Sequence, residues 1–412
     1  MSGLDITELL EGIKRIAENT VPFDVEKFDL TRSVIFLGDS NAYLLDDSIL
    51  NDYSSLIETI VEEYGSKVSE KKARDDLDKI IVRLIEGDSE KRLRNDLAEM
   101  VLGYKSFKEV QRVFVPVAGL NLYVNSLTFG KVKLIRTSEA LEKIQDARKA
   151  IKGTATDEAG AQVISMIEDG WKTNTCAQLE IIAEPEKAKE LALHECRGIL
   201  DLLTYAAASI YHIGWNIPQG LKVQMTEAFA STSAVVVVPS GRIVAGFTAK
   251  GPYGLFDIND QNIESMRKLG IFKIAPRMAE HQSTRDWKQI TRAIHWFAES
   301  QRQDDEGNEL LGLITCLEMF LTPEKGSEIS VRQSVAEGAA NVIGKDLDEQ
   351  VEIKRFIKRM YDKRSDVVHG RKLQLTQTEL AKLKAMVIFF MVEMTNGLDR
   401  NATDVEYPHH KP

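Results

Sequence analysis

An arginine and a histidine five residues apart, Arg364 and His369, stand in the stretch "RSDVVHG" near the end of the 412-residue chain. A guanidinium presents a planar fork of donors to phosphate oxygens and stabilises charge that develops on a phosphorane. An imidazole gives and takes a proton near neutral pH. Gly370 suits the left-handed position just past a helix, which places His369 at a helix C-terminus, where the carbonyl end of the dipole favours a cation. Together the two side chains supply what is needed to cleave RNA through its own 2′-hydroxyl without a metal. Positions i and i+5 lie about 140° apart around a helix, so the pair shares no narrow stripe and would flank a groove made with a second copy. The competing reading of His369 is a helix-capping histidine.

The element that must position this pair is a helix read over 348–369. Between 351 and 372, Lys354, Arg355, Lys358, Arg359, Lys363, Arg364, Arg371 and Lys372 stand against Glu352, Asp362 and Asp366. Eight positive charges against three negative leave +5 there, and −15 on the rest of a chain whose formal charge is −10. A basic face on a repelling background steers a phosphate-chain ligand to one place. Lys358, Lys363, Arg371 and Lys372 are the phosphate-contact candidates, with a solvated helix face as the plain alternative.

"MYDKRSDVVHGRK" resembles the R-x4-6-H signature of HEPN domains, with Arg364, four residues, then His369. The preceding "ELLGLITCLEMFLTPEKGSEISVRQSVAEGAANVIG" is similar to the Apea-like branch of that family. The likeness covers about 285–397, the C-terminal third. It implies a metal-independent endoribonuclease without a cofactor, its active site shared across a homodimer formed through the C-terminal bundle. Such proteins act as toxins or antiviral effectors that cut RNA. Carried over, the resemblance makes Arg364 and His369 the catalytic pair, with Ser365, Asp366, Tyr361 and Glu318 as auxiliary residues. It leaves a second possibility, a non-catalytic HEPN module that dimerises or binds a nucleotide.

The length predicts two or three domains, and the patterning predicts an α+β multidomain protein. Residues 1–108 read as mostly helical, with "SVIFLG" as a short strand among apolar residues spaced by three and four. Residues 109–280 read as α+β, a region that could sense an activator or select a substrate. Its strands are "RVFVPVAGLNLYV", "KVKLIRT" and "TCAQLEIIAE", its long helix has Pro185 near the first turn, and a hairpin turns at Pro239-Ser240-Gly241. Residues 281–400 read as a bundle of four to five helices, at 284–302, 307–321, 329–343, 348–369 and 377–397. Residues 401–412 read as a flexible tail.

Cys176, Cys196 and Cys316 are widely spaced with no CxxC, which argues for neither a disulfide framework nor a zinc cluster. The N-terminus mixes charges into an amphipathic pattern without the apolar core of a signal peptide. "AMVIFFMVEM" is too short to span a bilayer. A cytoplasmic protein without a membrane partner is expected. His194 and Cys196 fall on different faces of a helix and read as structural. Trp287 and Trp296 read as bundle packing.

A remote rival uses Gly38-Asp39-Ser40 after a strand, which looks like the nucleophile block of GDSL-type esterases, with Asp366 and His369 completing a triad. The blocks lie more than 320 residues apart on the printed sequence, and the upstream half does not alternate strand and helix as a doubly wound sheet does.

Overall fold

The computed structural model describes residues 5–22, 33–37, 41–45, 47–149, 165, 167, 171, 173–212, 224–225, 232–237, 243–247, 255–278, 284–303, 305–323 and 328–401. Ser40, the Pro239-Ser240-Gly241 turn and the tail beyond 401 lie outside the described residues, so the esterase block, the hairpin turn and the tail are not described.

The N-terminal part is built from α1 (Ile6–Glu18), α2 (Asp47–Tyr64), α3 (Glu70–Ile85) and α4 (Glu90–Ser106). The helical reading of this region holds, and its apolar spacing falls on α2, α3 and α4. Between α3 and α4 the chain turns at Gly87, whose φ of +94° only glycine adopts without strain. Buried Leu10, Ile13, Tyr53, Ile60, Leu77 and Leu97 form one core of these helices. The strands β1 (Val21–Pro22), β2 (Ser33–Leu37) and β3 (Asn41–Leu45) form a small antiparallel sheet in the order β1-β3-β2. Of these three strands, sequence reading found only β2, the apolar run "SVIFL".

The middle part carries β4 (Val110–Ala118), β5 (Leu120–Leu122), β6 (Ser126–Phe129), β7 (Val132–Arg136), α5 (Thr137–Lys149), β8 (Thr175–Ile182), α6 (Pro185–His212), β9 (Gln224–Met225), β10 (Thr232–Val237), β11 (Ile243–Phe247) and β12 (Phe256–Ile258). A seven-stranded sheet runs β11-β10-β4-β8-β7-β6, with β9 also on β4, and β5 pairs with β12 in parallel. Period-2 alternation assigns the faces. Val113, Val115, Val117 and Leu179 join the large core on the α6 side, while Phe114, Ile135 and Cys176 pack with Ala140 and Ile144 of α5 on the other. A sheet covered on both faces explains why β4 is buried almost throughout.

Next come α7 (Asp260–Lys268) and α8 (Ile271–Met278), then the helical region: α9 (Arg285–Arg302), α10 (Glu306–Leu321), α11 (Val331–Ile343), α12 (Leu347–Val368) and α13 (Gln377–Asn401). The last five match the expected spans closely because their caps are written into the chain. Asp305, Ser330 and Asp346 accept hydrogen bonds from Asn308, Gln333 and Glu349 N–H respectively. α9 and α10 approach closely at Gly312, where a Cβ would lie 2.7 Å from Ser300 Cβ. The core does not stop at the expected boundary near 280: one buried cluster runs from Val113 and Leu203 to Phe297, Leu313 and Met391. Among the described residues no helix is long and apolar enough to cross a membrane.

One carboxylate joins the N-terminal helices to this core. Glu184, 6% exposed, precedes Pro185 and caps α6 through Glu186 N–H and Lys187 N–H, both at 3.0 Å. It also accepts from Ser69 N–H at 3.1 Å and from the Ser69 hydroxyl, and Ser69 is the N-cap of α3. Two positive helix ends thus meet on one buried anion, the arrangement in which a buried carboxylate is best tolerated. Glu184→Gln keeps the shape but loses the charge on both dipoles, and should lower unfolding stability by about 1–3 kcal/mol. Urea titration of the two proteins checks this, and equal midpoints would show that the junction contributes nothing.

Candidate active site

The last turns of α12 carry "RSDVVHG", and the backbone there is closed tightly. Arg371 N–H donates to Asp366 O at 2.8 Å and Gly370 N–H to Val367 O at 3.0 Å, with Gly370 at φ +65°. This is the paired-bond ending that needs glycine at C′. His369 is the C-cap, its own N–H donating to Ser365 O at 3.1 Å. Its side chain is exposed, and among the described residues its ring makes no hydrogen bond. Val367, two residues before it, packs against α10, where a Cβ on Gly307 would lie 3.3 Å from Val367 Cγ1. The histidine therefore projects from a helix end that is fixed by packing.

Arg364 is held from α10. Tyr361 donates its hydroxyl to Glu318 Oε1 at 2.8 Å, and Glu318 Oε2 lies 3.8 Å from Arg364 Nη2. The Arg364 guanidinium carbon sits 5.6 Å from the centroid of the Tyr361 ring. Burial, then the Glu318 carboxylate, push the Tyr361 hydroxyl up to about 12, so it stays a donor. The contact of Arg364 with Glu318 is too long to saturate its five donors. Its Nε is buried and makes no hydrogen bond among the described residues, while the side chain remains 30% exposed. The guanidinium is thus oriented and still has donors to give. Five residues of helix put Arg364 and His369 about 7.5 Å apart along the axis.

The other expected residues separate into two sets. Asp366 pairs with Arg371 at 3.3 Å, and Ser365 contributes its carbonyl to the cap. Lys363 is bound to Glu379 at 2.7 Å and to the Gln374 carbonyl. Arg359 reaches Glu379 at 3.3 Å, and Lys354 pairs with Glu337. Glu337 and Glu379 come from α11 and α13, so the charge counted along α12 overstates the charge of its face. Of the residues expected to hold phosphate, Lys363 spends its charge inside the fold, while Arg371 is exposed and pairs with Asp366 at the surface. Lys358 and Lys372 make no ion pair among the described residues.

Sequence reading missed a second polar cluster between α6 and α9. Asp201, 2% exposed, receives His295 Nδ1 at 2.8 Å and lies 2.6 Å from Arg302 Nη2. Its only signal was an acid inside the apolar run "GILDLLTYAA". Trp296 beside it is 41% exposed, so it faces outward and does not pack the bundle as expected; Trp287 does pack against the core. The three cysteines are buried, and burial pushes their thiols up, out of reach of thiolate chemistry. No family model matches the chain, and no curated protein and no solved structure shows significant similarity to it.

Two outcomes follow from these contacts. Tyr361→Phe removes a donor to a charged, mostly buried acceptor and should cost about 1–2 kcal/mol in thermal or urea unfolding. Glu379 closes a capping box with Thr376 at the start of α13. Its contact with Lys363, together with the Thr376 hydrogen bonds, holds its carboxyl down at about 2, against 4.5 without the fold. A carboxyl depressed by folding adds stability above its unfolded value and loses it as pH falls toward the folded one. The stability difference between wild type and Glu379→Gln should therefore be full at pH 7 and shrink between about pH 4.5 and 2. A difference independent of pH in urea titrations would refute the ion pair's role.

Proposed function

We propose that the protein is a metal-independent endoribonuclease of the HEPN kind. The observation that carries the reading is the pair at the end of α12: a guanidinium oriented by Glu318 and Tyr361 with donors to spare, and an exposed imidazole on a rigid helix end. His369 removes the proton of a 2′-hydroxyl, whose oxygen attacks the adjacent phosphorus. The O2′–P bond forms, the P–O5′ bond breaks, and the 5′-oxygen leaves with a proton from an imidazolium. Arg364 stabilises the charge on the equatorial oxygens. Residues 1–280 would select or sense what triggers the cut, as in a toxin or antiviral effector.

The active form in this reading is a homodimer. Leu347, Val351 and Val368 of α12 are each more than half exposed, and Val368 adjoins His369. A second copy laid on this face would bury them and bring two Arg364–His369 pairs to one groove. The repulsion between two basic faces makes added salt or RNA strengthen the dimer.

The internal pairing of Lys363, Arg359 and Lys354 favours a second reading, a module that dimerises without cutting. Purified protein and RNA, in buffer with chelator, separate the two. Cleavage should proceed, spare DNA, and fall about 10²–10⁴-fold in His369→Ala and in Arg364→Ala. Arg364→Lys should fail nearly as badly, because an ammonium cannot make the planar contact. Undiminished cutting by His369→Ala would leave the interaction module standing.

A further inference from the structure

A cavity of about 390 Å³ opens between α6 and α9, closed by the β6–β7 turn and by α8. Its size falls in the range of small-ligand sites, and its shape is set by buried residues: Phe129, Ile199 and Ala275 are each under 5% exposed. Around the mouth stand Lys131, Arg197 and Arg292, all exposed, together with His194. Lys131 reaches Glu195 at 3.4 Å, whereas Arg197 and Arg292 make no ion pair among the described residues. The floor is Asp201 and His295.

The chemistry of that floor distinguishes two kinds of ligand. Asp201, His295 and Glu299 each bring one ligand atom within 4.8 Å of the others, a set that could hold a metal ion. Arg302 already occupies the cation's place: it lies 2.6 Å from Asp201 and 2.7 Å from Glu299, with its side chain only 13% exposed. The carboxylates are thus answered from inside the fold. What remains for a ligand is positive. The Asp201 Oδ2 contact fixes the proton of His295 on Nδ1 and leaves Nε2 without a partner among the described residues. The same hydrogen bond favours the charged imidazole, raising its titration above the ordinary histidine value.

We propose that this cleft binds a small organic phosphate, of the class of a nucleoside monophosphate. Arg197, Arg292 and His295 take the phosphate, and the apolar wall of Phe129, Ile199 and Met278 takes the organic body. A net −10 protein otherwise repels such anions, so this concentration of cations selects where they go. The site lies where the sheet's long helix meets the first helix of the bundle, and a bound phosphate would tie the two together. This inference does not rest on the ribonuclease reading, because it uses none of the residues at the end of α12.

Calorimetric titration of the full chain with AMP, adenosine and inorganic phosphate tests it. AMP should bind saturably at one site per chain, adenosine should not, and inorganic phosphate should compete weakly. Arg197→Ala and Arg292→Ala are exposed changes that leave the fold intact by circular dichroism, and each should weaken AMP about tenfold. His369→Ala should bind AMP as wild type does, which separates this cleft from an RNA groove. No heat with AMP at millimolar concentration, equal binding of adenosine, or an affinity untouched in the Arg197→Ala/Arg292→Ala protein would overturn the proposal. So would saturable Zn²⁺ binding that is lost in His295→Gln, since the cluster would then be a metal site.

Discussion

Glu318 sets the geometry on which the rest of the proposed site depends. A single carboxylate on α10 takes the Tyr361 hydroxyl with one oxygen and faces Arg364 with the other. Without it, a partly buried guanidinium would have neither a counter-charge nor a direction. The Tyr361 ring then limits the guanidinium from the side. The long 3.8 Å separation matters as much as the contact itself. A fully bidentate pair would consume the donors that a phosphate needs, whereas this arrangement orients the fork and leaves it open.

The surrounding packing exists to hold α10 and α12 in that relation. Gly312 lets α9 lie against the backbone of α10, and Gly307 admits Val367 from the last turn of α12. The glycine ending at residue 370 then stops the helix with His369 outward. Farther away, Glu184 ties the N-terminal helices to α6, and α6 shares its core with α9. A chain of buried contacts thus runs from the N-terminal helices to the bundle that carries Arg364 and His369. Through such a chain, a ligand in the α6–α9 cleft has a physical connection to the bundle.

The C-terminal helices were legible because local chemistry and global packing agree there. Capping acids, apolar spacing and Gly370 all name the same boundaries, and the Arg364–His369 pair lies within one helix, where sequence distance is spatial distance. The parts that were not legible depend on contacts between distant residues. Asp201 and His295 are 94 positions apart, and only the packing of α6 on α9 brings them together. The charge of α12 misled for the same reason, since Glu337 and Glu379 arrive from other helices. The short helix α8 was not read from the sequence, and it carries Pro276 within it, a residue that local propensity sets against a helix. The β5–β12 pairing joins strands of three residues each across more than a hundred positions, beyond the reach of any local pattern.

The central claim is that the attacking group belongs to the RNA and that the protein supplies a proton carrier and a charge at the phosphate. The most direct measurement uses a short RNA whose cut position has been mapped, remade with a single 2′-deoxynucleotide on the 5′ side of that bond. Attack by the 2′-hydroxyl predicts that this one position falls silent while cutting elsewhere continues, and that the unmodified RNA yields a 2′,3′-cyclic phosphate end. Cleavage at the deoxy position at an unchanged rate would contradict the mechanism.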